Sequence, residues 1–188
     1  MGHRSSATMD YRNAARCAAD AEHPNLWKGI IGAWCPSLHR PGGTTLRDMT
    51  RFQNHGTLTN MDPATDWVTN ECARALDFDG SNNYLAVPNS ASLNTVYDND
   101  RVAMSLWVNQ NKGTPPQFEG IAGRVTSSGW LDGFGLFWNS SSELRFFVSS
   151  YSVNVASKTS VTSTNWNHVA GTYDGSTVRI YVNGNPGT

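Results

Sequence analysis

Beyond Gly29 the chain is a succession of short apolar runs, each cut by Gly, Asn, Asp or Ser, which reads as strands joined by tight turns. Strands are predicted at residues 29–34, 75–78, 84–87, 102–109, 120–125, 133–138, 144–149, 153–156, 168–173 and 178–182. Met104, Leu106 and Val108 alternate with Ala103, Ser105 and Trp107, as Val178, Ile180 and Val182 do with Arg179 and Tyr181. A period of two puts one face of each strand on a core and the other in water, the habit of antiparallel sheets. Asp174-Gly175 between two such strands predicts a hairpin. Leu76 and Phe78 share one face and Asp77 and Asp79 the other, before Gly80-Ser81-Asn82-Asn83 turns the chain into Tyr84. That spacing predicts a hairpin-like unit. Trp107 and Trp166, each able to bury ~150–250 Å², are assigned to the core.

Before the β pattern, residues 9–22 are rich in Ala and charge and end at His23-Pro24, which predicts one short helix. Residues 1–28 therefore read as an N-terminal extension, partly helical, and residues 29–188 as one domain without repeats. The last six residues, Asn183-Gly184-Asn185-Pro186-Gly187-Thr188, read as a turn directly after a strand. A strand that has just turned needs a pairing partner, so the domain is expected either to lack its last strands or to receive them from elsewhere.

Composition agrees with an all-β domain. Of the 188 residues 15% are charged and 11% aromatic, with 17 Gly, a balance that suits turn-rich sheets rather than helices. A net charge of −1 and no Lys/Arg block exclude nucleic acid as the main partner. No segment has the apolar length of a signal-peptide core or a membrane span. The cysteines Cys17, Cys35 and Cys72 lack CxxC spacing, and each reads as a small buried hydrophobe. A Cys35–Cys72 bridge is the alternative.

Four ordered segments resemble one family: Asp48-Met-Thr-Arg-Phe-Gln-Asn-His-Gly56; Ala75-Leu-Asp-Phe-Asp-Gly-Ser-Asn-Asn-Tyr84; Val102-Ala-Met-Ser-Leu-Trp-Val108; and Trp166-Asn-His-Val-Ala-Gly-Thr-Tyr-Asp-Gly175 continuing to Arg179-Ile-Tyr-Val-Asn-Gly184. Together they are similar to the laminin G-like jelly-roll domains of the concanavalin A-like lectin/glucanase superfamily. The resemblance implies a two-sheet antiparallel jelly-roll sandwich across about residues 29–184. It also implies a structural Ca2+ held in the first segment by Asp48, Thr50 and Asn54, oxygen donors of the kind a hard cation takes. Arg51 and Phe52 depart from the family's small residues there. A metal-free turn in which Asp48 and Asn54 cap backbone amides fits the same residues.

Glucanases on this scaffold set paired carboxylates on one strand, as E-x-D-x-E. Of the glutamates here, Glu71, Glu119 and Glu143 have no acid two residues away, and Glu22 has Asp20 but in the expected helix; Asp77/Asp79 flank a turn and Asp98/Asp100 fall in a loop. Neither a nucleophile elbow nor a phosphate loop is present, and His55 and His168 read as structural side chains. The expectation is a non-catalytic module that meets a glycan or protein surface through rim aromatics and amides: Trp130, Tyr151, Tyr97 and Asn139, with Trp138 assigned to the core. The competing reading is a structural or adhesive domain of a larger assembly, such as a phage or cell-surface appendage, acting as a homo-oligomer. The opening Met, lack of a signal and Ala-rich lead-in suit a protein assembled inside the cell and carried on a virion or exported by a non-Sec route.

Overall fold

The computed structural model describes residues 28–39, 42–70, 73–98, 101–110, 118–125, 132–140, 142–150, 152–161 and 164–188. The helix expected at 9–22 and the 28/29 boundary fall outside or at the margin of that range. Two compact units divide the chain, Met1–Asn94 and Thr95–Thr188. Thirteen strands form four antiparallel sheets among the described residues, so the chain is all-β.

In the first unit, β1 (Thr45–Leu46), β2 (Gly56–Thr59) and β5 (Tyr84–Ala86) form a sheet in the order β1-β2-β5. A ribbon of β3 (Trp67–Asn70) and β4 (Ala73–Leu76) accompanies it. Leu46, Leu58, Met61 and Trp67 make a buried cluster, backed by Trp34, Leu76 and Leu85. Trp67 keeps its polar edge satisfied by donating its indole N–H to the Gly43 carbonyl at 3.1 Å. At Gly56 a Cβ would stand 2.5 Å from Leu85 Cδ1, so a larger residue there would require the Leu85 side chain to move. After β5 comes α1 (Ala91–Asp98), capped by Ser90, whose hydroxyl accepts the Leu93 N–H at 3.2 Å. Asp98, expected in a loop, is thus the last residue of a helix.

Two expectations for this unit need correction. Residues 29–34 form no strand; their only ladder contact is an isolated Trp34–Asp48 bridge. Side chains take several of their polar groups, the Ala33 N–H going to the Asp48 carboxylate and the Ile31 carbonyl to Thr50 and Asn54, while the Ala33 carbonyl accepts the Met49 N–H at 2.9 Å. Residues 75–78 and 84–87 are no hairpin either, because β4 pairs β3 and β5 pairs β2. Gly80-Ser81-Asn82-Asn83 does turn, with one Asp79 oxygen accepting the N–H groups of Ser81, Asn82 and Asn83. That turn separates two sheets rather than joining one, and Phe78 ends 42% exposed.

The second unit is a two-sheet sandwich. One sheet runs β10 (Val155–Lys158), β9 (Glu143–Val148), β8 (Phe134–Ser140), β7 (Glu119–Arg124); the other runs β13 (Asn185–Pro186), β12 (Val178–Val182), β11 (Asn167–Tyr173), β6 (Val102–Val108). Leu136, Trp138, Leu144 and Phe146 from the first sheet meet Val102, Val169, Ile180 and Val182 from the second. Met104, Leu106, Val108 and Val178 pack onto this layer, as the alternation predicted. Burying Phe146 contributes about 2–3 kcal/mol. The Asp174-Gly175 hairpin is present: β11 pairs β12 from Val169↔Val182 to Tyr173↔Val178. Past β12, Asn183 and Gly184 take positive φ of 51° and 78°, the backbone of a type I′ turn. After that turn the two-residue β13 pairs back onto β12, Tyr181 with Pro186 and Val182 with Asn185.

Trp107 and Trp166 are not core residues. Trp107 is 65% exposed and Trp166 39%. Register decides against size: with Met104, Leu106 and Val108 facing inward, Trp107 must face out.

Candidate functional site

The three residues proposed for metal do meet in one node. Asp48, 5% exposed, accepts the N–H groups of Ala33 and Thr50 on Oδ1, each at 2.9 Å. Its Oδ2 accepts the Thr50 hydroxyl at 2.7 Å and the Asn54 N–H at 2.9 Å. Asn54, also 5% exposed, donates its amide to the Ile31 carbonyl and to Ser92, while its Oδ1 accepts the Ser90 hydroxyl at 2.6 Å. His55 Nδ1 accepts the Asp48 N–H at 3.1 Å, which gives that histidine a structural role. Burial pushes the Asp48 carboxyl up, but hydrogen bonds from Thr50, Ala33 and Asn54 outweigh it and hold it below its ordinary value of 3.8.

A carboxylate offers about four lone-pair directions, and here four N–H and O–H donors take them. In this arrangement Asp48, Thr50 and Asn54 do not fit a calcium ion, which needs 6–8 outward-facing oxygens. They fit the turn-capping alternative. Among the described residues no three His, Cys, Asp or Glu side chains gather into a metal-binding group.

The residues expected to touch a ligand are scattered. Trp130 and Tyr151 lie outside the described residues. Tyr97 falls in α1. Asn139, near the end of β8, donates its amide to Glu143 Oε2 at 2.6 Å, and Arg145 Nε donates to Glu143 Oε1 at 3.0 Å. Burial raises the Glu143 carboxyl, but hydrogen bonds from Asn139, Arg145 and Ser157 win and hold it below 4.5. Trp138 is buried at 1% exposure, as expected. Cys35 carries a free thiol; Cys17 and Cys72 lie outside the described residues.

What sequence reasoning missed stands on the outer face of the β6–β11–β12 sheet. Trp107 is directly opposite His168 in the ladder, their rings tilted at 54° with centroids 5.3 Å apart. His168 Nε2 and the Ser105 hydroxyl share a 2.8 Å hydrogen bond, fixing the imidazole beside the indole. The register brings Tyr181 and Arg179 to the same face, opposite Ala170 and Thr172. Strict alternation on β6 carried the signal, because it assigns Trp107 to the face away from Leu106.

Two antiparallel sheets enclosing an apolar layer, with an aromatic outer face on one of them, define a jelly-roll module of the lectin type. The laminin G (type 3) family model, described as the concanavalin A-like lectin/glucanases superfamily, matches residues 79–187, and the chain belongs to that family. Its members make it a carbohydrate- or protein-binding module in the general sense, in a superfamily that also holds glucanases. Comparison with curated proteins and with solved structures found no match.

Proposed function

We propose that the chain is a non-catalytic module that binds carbohydrate or glycoconjugate surfaces. The observation that carries the reading is Trp107: a mostly exposed indole, braced by His168 and flanked by the Ser105 hydroxyl. A sugar ring offers an apolar C–H face to such an indole and hydroxyls to the polar groups beside it. The carboxylates argue against hydrolysis. Glu143 is held ionised and could not give up a proton as a general acid near neutral pH, and Asp79 spends one oxygen on three backbone N–H groups.

A glycan array probed with the full chain tests this. Binding that falls about tenfold or more in Trp107→Ala, with melting unchanged, is expected from the loss of one stacking face. Trp130→Ala serves as the comparison for the sequence-based choice. The competing reading, a structural or adhesive domain, draws on β7, the outermost strand of its sheet among the described residues. A shallow apolar groove runs along it, lined by Ile121, Ala122, Val125 and Phe134. Silence across diverse glycans together with oligomers in solution would favour that reading.

A further inference from the structure

A second concavity lies at the rim of the sandwich, at the start of β11 just ahead of His168, the ladder partner of Trp107. It is a cleft of about 260 Å³ between the end of β10, the approach to β11 and the β12–β13 turn, with Lys158, Ser160, Asn165, Trp166, Asn183 and Asn185 on its walls. Drug-sized ligands occupy pockets of about 300–1,000 Å³, so this volume suits one ring rather than an extended chain. We infer that the cleft binds a single pyranose residue bearing an anionic group, as a terminal or branching unit of an acidic glycan. This inference rests on the carbohydrate-binding reading above.

The walls divide into fixed and available groups. Asn183 is fixed: its Oδ1 accepts the His168 N–H at 2.9 Å, and its amide donates to Asn167 Oδ1 at 3.0 Å. Asn167 is 3% exposed and donates in turn to the Asn165 carbonyl at 2.9 Å. This amide chain, anchored on the buried Asn167, fixes the floor before any ligand arrives, which lowers the ordering cost of binding. The available groups lie above it. The Asn165 side-chain amide and the Ser160 hydroxyl are engaged by no other described residue. Asn185 gives one amide proton to the Asn183 carbonyl at 3.3 Å and keeps its oxygen free among the described residues. Trp166, 39% exposed, adds an aromatic wall.

Charge selects among sugars. Among the described residues, Lys158 is the only ionised side chain on the walls. Its ammonium donates to the Pro186 carbonyl at 2.8 Å, which positions it and leaves two of its three protons unspent. A carboxylate or sulfate substituent would meet that ammonium without facing any acidic side chain of the cleft. The chain as a whole carries a net charge of −1, so a preference for acidic glycans must come from this local cation and not from the general field.

The test uses the full chain on an array of paired oligosaccharides, each neutral core printed with and without a uronate, sialate or sulfate. The expected result is preferential binding of the acidic member. Asn165→Ala should weaken it about tenfold and Lys158→Met should erase the acidic preference while neutral binding persists. Trp166→Ala adds a third check; if it fails to fold, Asn165→Ala, an exposed loop change, still decides. Equal binding of neutral and acidic members, or acidic binding untouched by Asn165→Ala and Lys158→Met but lost in Trp107→Ala, overturns this site and leaves the carbohydrate reading standing. Silence on every glycan overturns both.

Discussion

At the scale of single residues the molecule spends its polar side chains on backbone. Asp48 is the clearest case: four donors from Ala33, Thr50 and Asn54 converge on one buried carboxylate. Asp48→Asn removes the charge and turns an amide N–H toward an N–H, so it should cost about 2–4 kcal/mol, the range for losing charge-assisted hydrogen bonds at a buried site. The pH dependence has a defined sign. The folded carboxyl titrates below its ordinary 3.8, so its contribution is full above the unfolded value near 3.9 and fades as pH falls through the folded one. Thermal melting from pH 7 down to 2 should show a larger acid-side loss in the natural chain than in Asp48→Asn. Parallel curves would mean the carboxylate is not held as the geometry implies.

Elements take their positions from turns and from the few places where only glycine fits. At Gly171 in β11, a Cβ would lie 2.3 Å from Phe146 Cγ and 2.4 Å from Cδ2 across the sandwich. Gly171→Ala should therefore destabilise by about 1–3 kcal/mol through overpacking, and Phe146→Leu in the same chain should recover part of that loss. Denaturant unfolding of the two single variants and the double variant checks it; strict additivity would show that the two residues do not meet. Much of this sandwich was legible in the alternation of β6, β11 and β12, because one buried face imposes a period of two. The first unit was less so. Thr45–Leu46, Gly56–Thr59 and Trp67–Asn70 are too short to show a period, and residues 29–34 look like a strand but are tied down by side chains of Asp48, Thr50 and Asn54. The site was legible in the wrong place. Size assigned Trp107 and Trp166 to the core, whereas register on β6, and a position just ahead of β11, put them at the surface.

For the whole molecule the question that reaches beyond one contact is whether stability depends on a bound cation. Binding to the folded state alone raises stability by RT ln(1 + [L]/Kd), so a calcium held at Asp48 would make the melting temperature rise with calcium concentration. For a cation to enter, the carboxylate would have to release N–H donors from Ala33, Thr50 or Asn54, and each released donor would lose a partner in a buried place. Thr50 and Asn54 offer little compensation, since the Thr50 hydroxyl oxygen already accepts the Phe52 N–H and the Asn54 oxygen already accepts from Ser90. The node is thus expected to be complete without metal. Melting in millimolar calcium and in chelator should coincide, and native mass spectrometry should show no calcium adduct that survives dilution. A chelator-sensitive melting temperature that becomes insensitive in Asp48→Asn would show instead that the node opens to admit an ion, and that the hydrogen bonds around Asp48 describe its metal-free state.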